Sequence, residues 1–364
     1  MELEKNMSKN RPIRVLHLLK NFEIGGVETS TIRFANYLSD KIEFIGIFAK
    51  SGYFFEAKTL NSKIKVFINE KNLYSIIDFI FIIFKLYKIC KNNKINIIHY
   101  HFRIYIPYIY SLKILFPKLQ ITYTHHNNYN DNISYLIFAN KYLAIGTSSG
   151  NDLTSYSLFK RNIEILPNGI NIIEGVEKIN NSSQINLGII GRVEELKGIK
   201  FILENVSKIL EIDKRINIIF KGNGSLVSLI MNNGFYDKRI YLQQFTNYDI
   251  SKLYYDIDLL LVPSVAINNI EVEGIPMVIL EAMAYEVPVI ASKIGGIKDI
   301  LIDKKNGLLF EPGNISSLIE KIKLLMQDRD LRQLIIKNGK QTVVKNYSLQ
   351  KNSEKLISIY NSLL

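Results

Sequence analysis

The chain has 364 residues, more than the roughly 100–200 of a single domain, with 47% hydrophobic and 22% charged residues and 40 Tyr and Phe between them, which excludes global disorder. One cysteine, Cys90, excludes an internal disulfide or a cysteine-based zinc cluster. The net charge is +12, of which residues 1–180 carry +9; without a nucleic-acid-binding motif or zinc-finger spacing, this reads either as an ordinary solvated basic surface or as one drawn to anionic lipid, with no nucleic acid partner.

Residues 1–10 are polar and charged, without the apolar core of a secretory signal, so a cytoplasmic protein is expected. Short apolar runs at 14–19, 43–48, 65–68, 95–100, 120–124, 142–146 and 162–166 predict strands, and 28–38, 74–91, 105–115 and 150–158 between them predict helices. The most apolar stretch, 76–84, contains Asp78, is followed by Lys85 and Lys88, and falls far short of the roughly 20 residues of a membrane span. Strand and helix in alternation specify a parallel sheet covered on both faces, hence one Rossmann-like domain over 1–172.

Residues 173–184 are polar and predict an interdomain linker. The alternation then restarts, with strands at 185–190, 216–220, 240–242, 259–262 and 289–291 and helices at 199–210, 226–232, 250–256 and 278–285, giving a second Rossmann-like domain over 185–347. The segment 348–364 places Leu356, Ile357, Ile359, Tyr360 and Leu363 on one helical stripe, and the expectation is that this helix crosses back to cover the first domain.

Chemistry concentrates in the run Glu273-Gly274-Ile275-Pro276-Met277-Val278-Ile279-Leu280-Glu281. Two carboxylates eight positions apart, one in a loop and one a turn inside a helix, can accept from sugar or ribose hydroxyls, while amides at the helix N-terminus suit a diphosphate. By spacing alone they could equally be two solvated glutamates. Arg192 and Lys197 follow the first strand of the second domain, at the sheet edge where doubly wound folds bind ligands; alone they could be an ordinary cationic loop. His125 and His126 end the strand 120–124, and His99 and His101 end the strand 95–100. A histidine pair is more often structural than functional. Asp256-Ile257-Asp258 has the look of a metal-diphosphate motif but precedes the strand 259–262.

The run from Leu261-Val262-Pro263-Ser264 through Glu273 and Glu281 to Gly295-Gly296 resembles the family 4 retaining glycosyltransferases, also called glycosyl transferases group 1. Gly25-Gly26-Val27-Glu28, Pro167-Asn168-Gly169-Ile170, Gly191-Arg192, Lys197-Gly198, Gly222-Asn223-Gly224, Asn306-Gly307-Leu308-Leu309 and Pro312-Gly313-Asn314 continue the resemblance in order over most of the chain. It implies the GT-B fold, an α/β architecture of two Rossmann-like doubly wound parallel-sheet domains facing a central cleft. The first would take the acceptor and the second the nucleotide-sugar donor. It further implies a retaining transferase that moves a hexose-type sugar from a nucleotide diphosphate sugar to a saccharide or lipid-linked acceptor of the cell envelope.

By the same resemblance, Gly25, Gly26, Arg192, Lys197, Glu273, Gly274, Ile275, Pro276, Met277, Val278 and Glu281 would bind the donor, and His126, Glu273, Arg192 and Lys197 would serve catalysis. No metal and no cofactor are expected, since Arg192 and Lys197 supply the positive charge. Peripheral contact with anionic membrane on the inner face of the plasma membrane is expected around Lys85, Lys88, Lys91 and Lys94. The stretch 265–272 departs from the glycine-rich pattern that usually precedes the first glutamate, so Glu271 competes with Glu273. Two alternatives stay open: a non-hydrolysing nucleotide-sugar epimerase of the same fold, and a non-catalytic sugar-binding homologue.

Overall fold

The computed structural model describes residues 11–22, 25–50, 60–129, 131–157, 161–172, 183–234, 238–244, 250–266 and 273–364. They belong to two compact units, one running to Gly169 and joined by Leu349–Leu364, the other Ile170–Ser348. Glu271 and positions 173–182 of the expected linker lie outside the described residues.

The first unit contains β1 (Arg14–Asn21), α1 (Gly26–Leu38), β2 (Phe44–Lys50), β3 (Lys65–Asn69), α2 (Ile76–Asn92), β4 (Ile97–Tyr100), α3 (Ile106–Leu115), β5 (Gln120–His125), β6 (Lys141–Ala144), α4 (Thr147–Ser155) and β7 (Ile163–Ile165). Its seven strands pair in the order β3-β2-β1-β4-β5-β6-β7, all parallel. The order reverses between β1 and β4, and in such sheets ligands bind at the carboxyl ends of the strands flanking that reversal. The central strands are buried on both faces, which is why they are continuous apolar runs rather than alternating ones.

The second unit contains β8 (Ile185–Ile190), α5 (Ile199–Glu204), α6 (Val206–Leu210), β9 (Ile216–Lys221), α7 (Val227–Gly234), β10 (Ile240–Gln243), α8 (Ile250–Tyr254), β11 (Leu259–Val262), α9 (Met277–Ala284), β12 (Val289–Ser292), α10 (Ile297–Ile300), β13 (Leu308–Phe310), α11 (Ile315–Gln327) and α12 (Arg329–Asn346). Its sheet runs β10-β9-β8-β11-β12-β13, again parallel, with the reversal between β8 and β11. The final helix, α13 (Leu349–Asn361), packs on α1, and its Leu356, Ile359 and Tyr360 enter the core of the first unit with Ile32, Ala35 and Leu143.

Several elements differ from the sequence expectations. The helix expected over 199–210 is two, because Asn205 leaves helical dihedrals and turns its side-chain amide onto the Phe201 carbonyl. The helix expected over 150–158 begins at Thr147, where Gly146 and Ser149 cap it. A sixth strand, β13, and the helices α10, α11 and α12 add to the five strands and four helices expected of the second domain. No helix among the described residues is long and apolar enough to cross a membrane.

Candidate functional site

In the second unit the expected donor residues gather at the carboxyl ends of β8 and β11. A short 3-10 turn, Glu195–Lys197, ends in Gly198 at φ 71°, and the amide of Val265, just past β11, bonds to the Leu196 carbonyl. A Cβ at Gly198 would come within 1.8 Å of the Pro263 carbonyl oxygen, so only glycine lets this turn lie against the end of β11. The approach aims Lys197 at Glu273. Lys197 Nζ donates to both carboxylate oxygens, at 2.7 and 2.8 Å, and Ser264 Oγ donates to Oε2 at 2.9 Å. Glu273 is 7% exposed and Lys197 23%, so the pair is largely withdrawn from water yet still open on the lysine side.

The main chain at Glu273 is fixed from the other side. Gly296 donates its amide to the Glu273 carbonyl at 2.9 Å, and a Cβ on Gly295, at φ 48°, would fall 2.3 Å from that same oxygen. Four residues on, α9 starts with Pro276 at its N-cap, without a side-chain cap and without an acid in its first turn. Its leading amides, at Met277 and Val278, therefore carry an uncompensated positive end suited to an anion. Glu281, one turn inside α9, is buried and accepts from the Tyr254 hydroxyl at 2.8 Å. Neither glutamate is a solvated surface residue.

Arg192 stands apart from this group. Its guanidinium pairs with Glu194 at 3.0 Å and its side chain is 56% exposed. Asp258 accepts from the Asn186 amide at the start of β8, and Asp256 pairs with the buried Lys221, so the Asp-Ile-Asp segment is tied into the packing of the second unit.

The first unit carries a polar stripe on one face of its sheet. His17 on β1 lies beside His99 on β4, and His101, Thr124 and His126 continue at every second position of β4, β5 and their extensions. His17 Nδ1 bonds to His101 Nε2 at 3.0 Å, and His101 Nδ1 bonds to His126 Nε2 at 3.0 Å. His99 is held between Tyr360 of α13 and Thr124, both at 2.6 Å. Burial pushes His17 and His126 down to about 3 and His99 and His101 well below the usual imidazole range, so all four are neutral at neutral pH.

Neutral imidazoles each offer one donor and one acceptor, so the His17–His101–His126 chain has only two consistent proton arrangements, both set along its whole length. Nitrogens of His17, His99 and His101 lie within 4.8 Å of one another, but the rings stack, at 4.4 Å for His99 and His101, so their in-plane lone pairs do not converge as metal ligands must. The chain borders a cavity of ≈ 20 Å³, room for one water, which Ser30, Thr31 and Phe34 of α1 also line. His125 faces elsewhere: Asp152 holds it at 2.7 Å and Tyr123 at 3.0 Å, a structural role. Gly25 and Gly26 form the N-terminus of α1, with Gly25 as its N-cap.

Sequence reasoning passed over Ser264, His17 and Tyr360 as site residues. Period-two spacing relative to His99 and His101 was the available signal for the stripe; the helical stripe of 348–364 marked Tyr360 for packing on the first domain, but nothing in sequence paired it with His99, 261 positions away.

The model of the glycosyl transferases group 1 matches residues 174–342, and that of Glycosyltransferase Family 4 matches residues 24–173. A capsular polysaccharide biosynthesis glycosyltransferase of Staphylococcus aureus is 27% identical over 229 residues, 61% of this chain and 55% of the relative. An uncharacterized glycosyltransferase of Methanocaldococcus jannaschii is 28% identical over 215 residues, 54% of this chain and 53% of the relative. The chain spans about half the length of the curated relatives it matches. Among solved structures, Anabaena HepE in complex with UDP and glucose superposes with a TM-score of 0.79 at 17% identity, covering 96% of this chain and all of that one. A glycosyltransferase from Rickettsia africae gives 0.76 at 20% identity, covering 97% and 99%. Both share the GT-B fold, as expected from the two doubly wound sheets.

Proposed function

Because this chain belongs to the group 1 glycosyltransferases, we propose that it moves a hexose-type sugar, with retention of anomeric configuration, from a nucleotide diphosphate sugar to a saccharide or lipid-linked acceptor of the cell envelope. The observation that carries the proposal is the Lys197–Glu273–Ser264 cluster at the reversal point of the second sheet, beside the uncapped start of α9. The S. aureus relative's role in capsular polysaccharide biosynthesis and the UDP bound to HepE support the donor and acceptor classes.

In this reading Glu281 holds the ribose hydroxyls, and the amides of Gly274 to Val278 face the diphosphate. Arg192 swings from Glu194 to join Lys197 on the phosphate oxygens. Glu273 orients the hexose, and Gly25 and Gly26 bring main-chain amides to the donor phosphate. The acceptor hydroxyl attacks the anomeric carbon on the face the phosphate leaves. The C1–O bond to phosphate breaks as the new C1–O bond forms, and the hydroxyl proton passes to the departing phosphate oxygen. Such a reaction asks the protein for positioning and for cationic stabilisation of the leaving group. His126 hydrogen-bonds to the transferred sugar through Nδ1, which bears no hydrogen bond among the described residues.

The first unit takes the acceptor and touches anionic membrane peripherally, a reading supported by the +9 charge of residues 1–180. A thermal-shift screen of nucleoside diphosphates and their sugars tests the donor reading: a binder at 100 times its Kd stabilises by about 2.7 kcal/mol. No shift with any nucleoside diphosphate would reject it.

A further inference from the structure

Among the described residues of the first unit, an apolar face of α2 is left uncovered. On α2, Ile82, Leu86, Ile89 and Cys90 pack inward, while Ile76, Ile77, Ile80, Phe81 and Phe84 point outward, with Ile76 90% exposed, Ile77 77% and Ile80 72%. Their spacing puts them on one side of the helix. Continued along the axis, that side carries Lys88 and Lys91, while Lys85 lies at its edge and donates to the Ile68 carbonyl at 2.5 Å. The outward face of α2 is therefore apolar over its first half, about 12 Å, and cationic over its second. Ser75 caps the apolar end through the Asp78 amide, so the helix is defined from its first turn.

Cations ring the apolar half as well. Lys88 Nζ stands 4.3 Å from the centre of the Phe84 ring, and Lys71 Nζ 5.2 Å from that of Phe81. From Lys71 to Asn130 the chain has eight lysines and arginines and one acid, Asp78, which already accepts from the Asn72 amide and lies 3.6 Å from Lys71. A second copy paired across the apolar half would leave the lysines without counter-charges. An anionic phospholipid surface offers apolar depth for the isoleucines and phenylalanines and phosphates for the lysines.

We infer that the outward face of α2 is a membrane-docking face, in which Ile76, Ile77, Ile80, Phe81 and Phe84 enter the acyl boundary of an anionic bilayer and Lys88 and Lys91 reach back to its head groups. This rests on the reading of peripheral membrane contact and is independent of the sugar-transfer reading. The apolar stretch of the helix, 76–84, is nine residues long and holds Asp78, too short to span, so the helix lies along the interface with lysine stems covering apolar surface.

The test uses the full chain, which contains no tryptophan. Phe81→Trp places a single fluorophore in the face, and Tyr241→Trp places one on the exposed side of β10 in the second unit as a control. On phosphatidylcholine vesicles containing phosphatidylglycerol, the tryptophan at 81 should shift to the blue and be quenched by acyl-chain spin labels, and that at 241 should do neither. The pair Ile80→Glu and Phe81→Glu should lower vesicle partitioning by about tenfold or more with unchanged melting temperature. Replacing Lys88 and Lys91 by Gln should weaken the salt dependence of binding.

A chain that binds no anionic vesicle overturns membrane contact altogether. One that binds while position 81 stays unquenched overturns this face. Loss of a dimer in light scattering by the Ile80→Glu, Phe81→Glu variant, without loss of vesicle binding, overturns the inference in favour of a second copy. None of these outcomes bears on nucleoside diphosphate binding, which the thermal-shift screen reads separately.

Discussion

Replacing Lys197 with Met removes a charge and keeps the stem, and the structure sets the expected cost. Glu273 would lose two charge-assisted hydrogen bonds, at 2.7 and 2.8 Å, and keep one from Ser264. Such bonds are worth about 1.5–3 kcal/mol each, but Lys197 is 23% exposed and water screens part of that. We expect a net destabilisation of about 2–3 kcal/mol in urea unfolding, most of it from a carboxylate left buried and underpaired. The double variant with Glu273→Gln should recover part of the loss, giving a coupling energy of about 2 kcal/mol. On the donor side, Lys197→Met should weaken nucleoside diphosphate binding by about tenfold or more, equivalent to about 1.4 kcal/mol. Glu273→Gln alone frees Lys197 for phosphate, so nucleoside diphosphate affinity should hold or rise while turnover falls. Calorimetric titration reads both affinities; a Lys197→Met variant that binds nucleoside diphosphate like the parent would refute the assignment of Lys197 to the diphosphate.

Arg192→Ala should cut kcat/KM by about tenfold or more without affecting stability, because its partner Glu194 is a surface group; equal kinetics would remove Arg192 from the leaving-group contact. His126→Ala should lower turnover substantially and leave nucleoside diphosphate binding nearly unchanged, and a matching loss in both would point to a structural role. Burial depresses His17 and His126 to about 3, so the unfolded chain takes up protons first as pH falls through 6.5. Stability should then fall with acidification by about 1.4 kcal/mol per pH unit for each, and His17→Asn should flatten the melting profile between pH 6.5 and 5. An unchanged slope would mean that His17 titrates normally in the folded chain. A chelator should leave the rate intact, since the proposed chemistry draws its positive charge from lysine and arginine; loss with recovery on added magnesium or manganese would contradict that.

The two sheets were legible because strands buried on both faces read as apolar runs, and runs such as β1 and β11 are too short for a helix and alternate with helix-like segments. β13 has only three residues, too few for a pattern, and α12 is polar enough to hide its buried stripe of Ile335, Gly339 and Val343. The break at Asn205 depends on one side chain choosing a backbone carbonyl over water, which periodicity does not register. Within the site, motif order singled out Glu273 and Lys197, but their mutual bond arises from the close approach at Gly198 and is a property of the folded turn. The histidine chain needs β1, β4 and β5 aligned side by side, and the Tyr360 contact needs α13 returned to the first unit.

The central claim is sugar transfer with retention, and proton NMR of one reaction mixture tests it most directly. The chain is incubated with the nucleotide sugar found by thermal shift and an extract of cell-envelope acceptors, and early product is observed. The account predicts a new glycosidic anomeric signal whose coupling matches the donor's, with nucleoside diphosphate released in equal amount. An inverted coupling would contradict retention, and epimerised nucleotide sugar without a glycosidic product would contradict transfer itself.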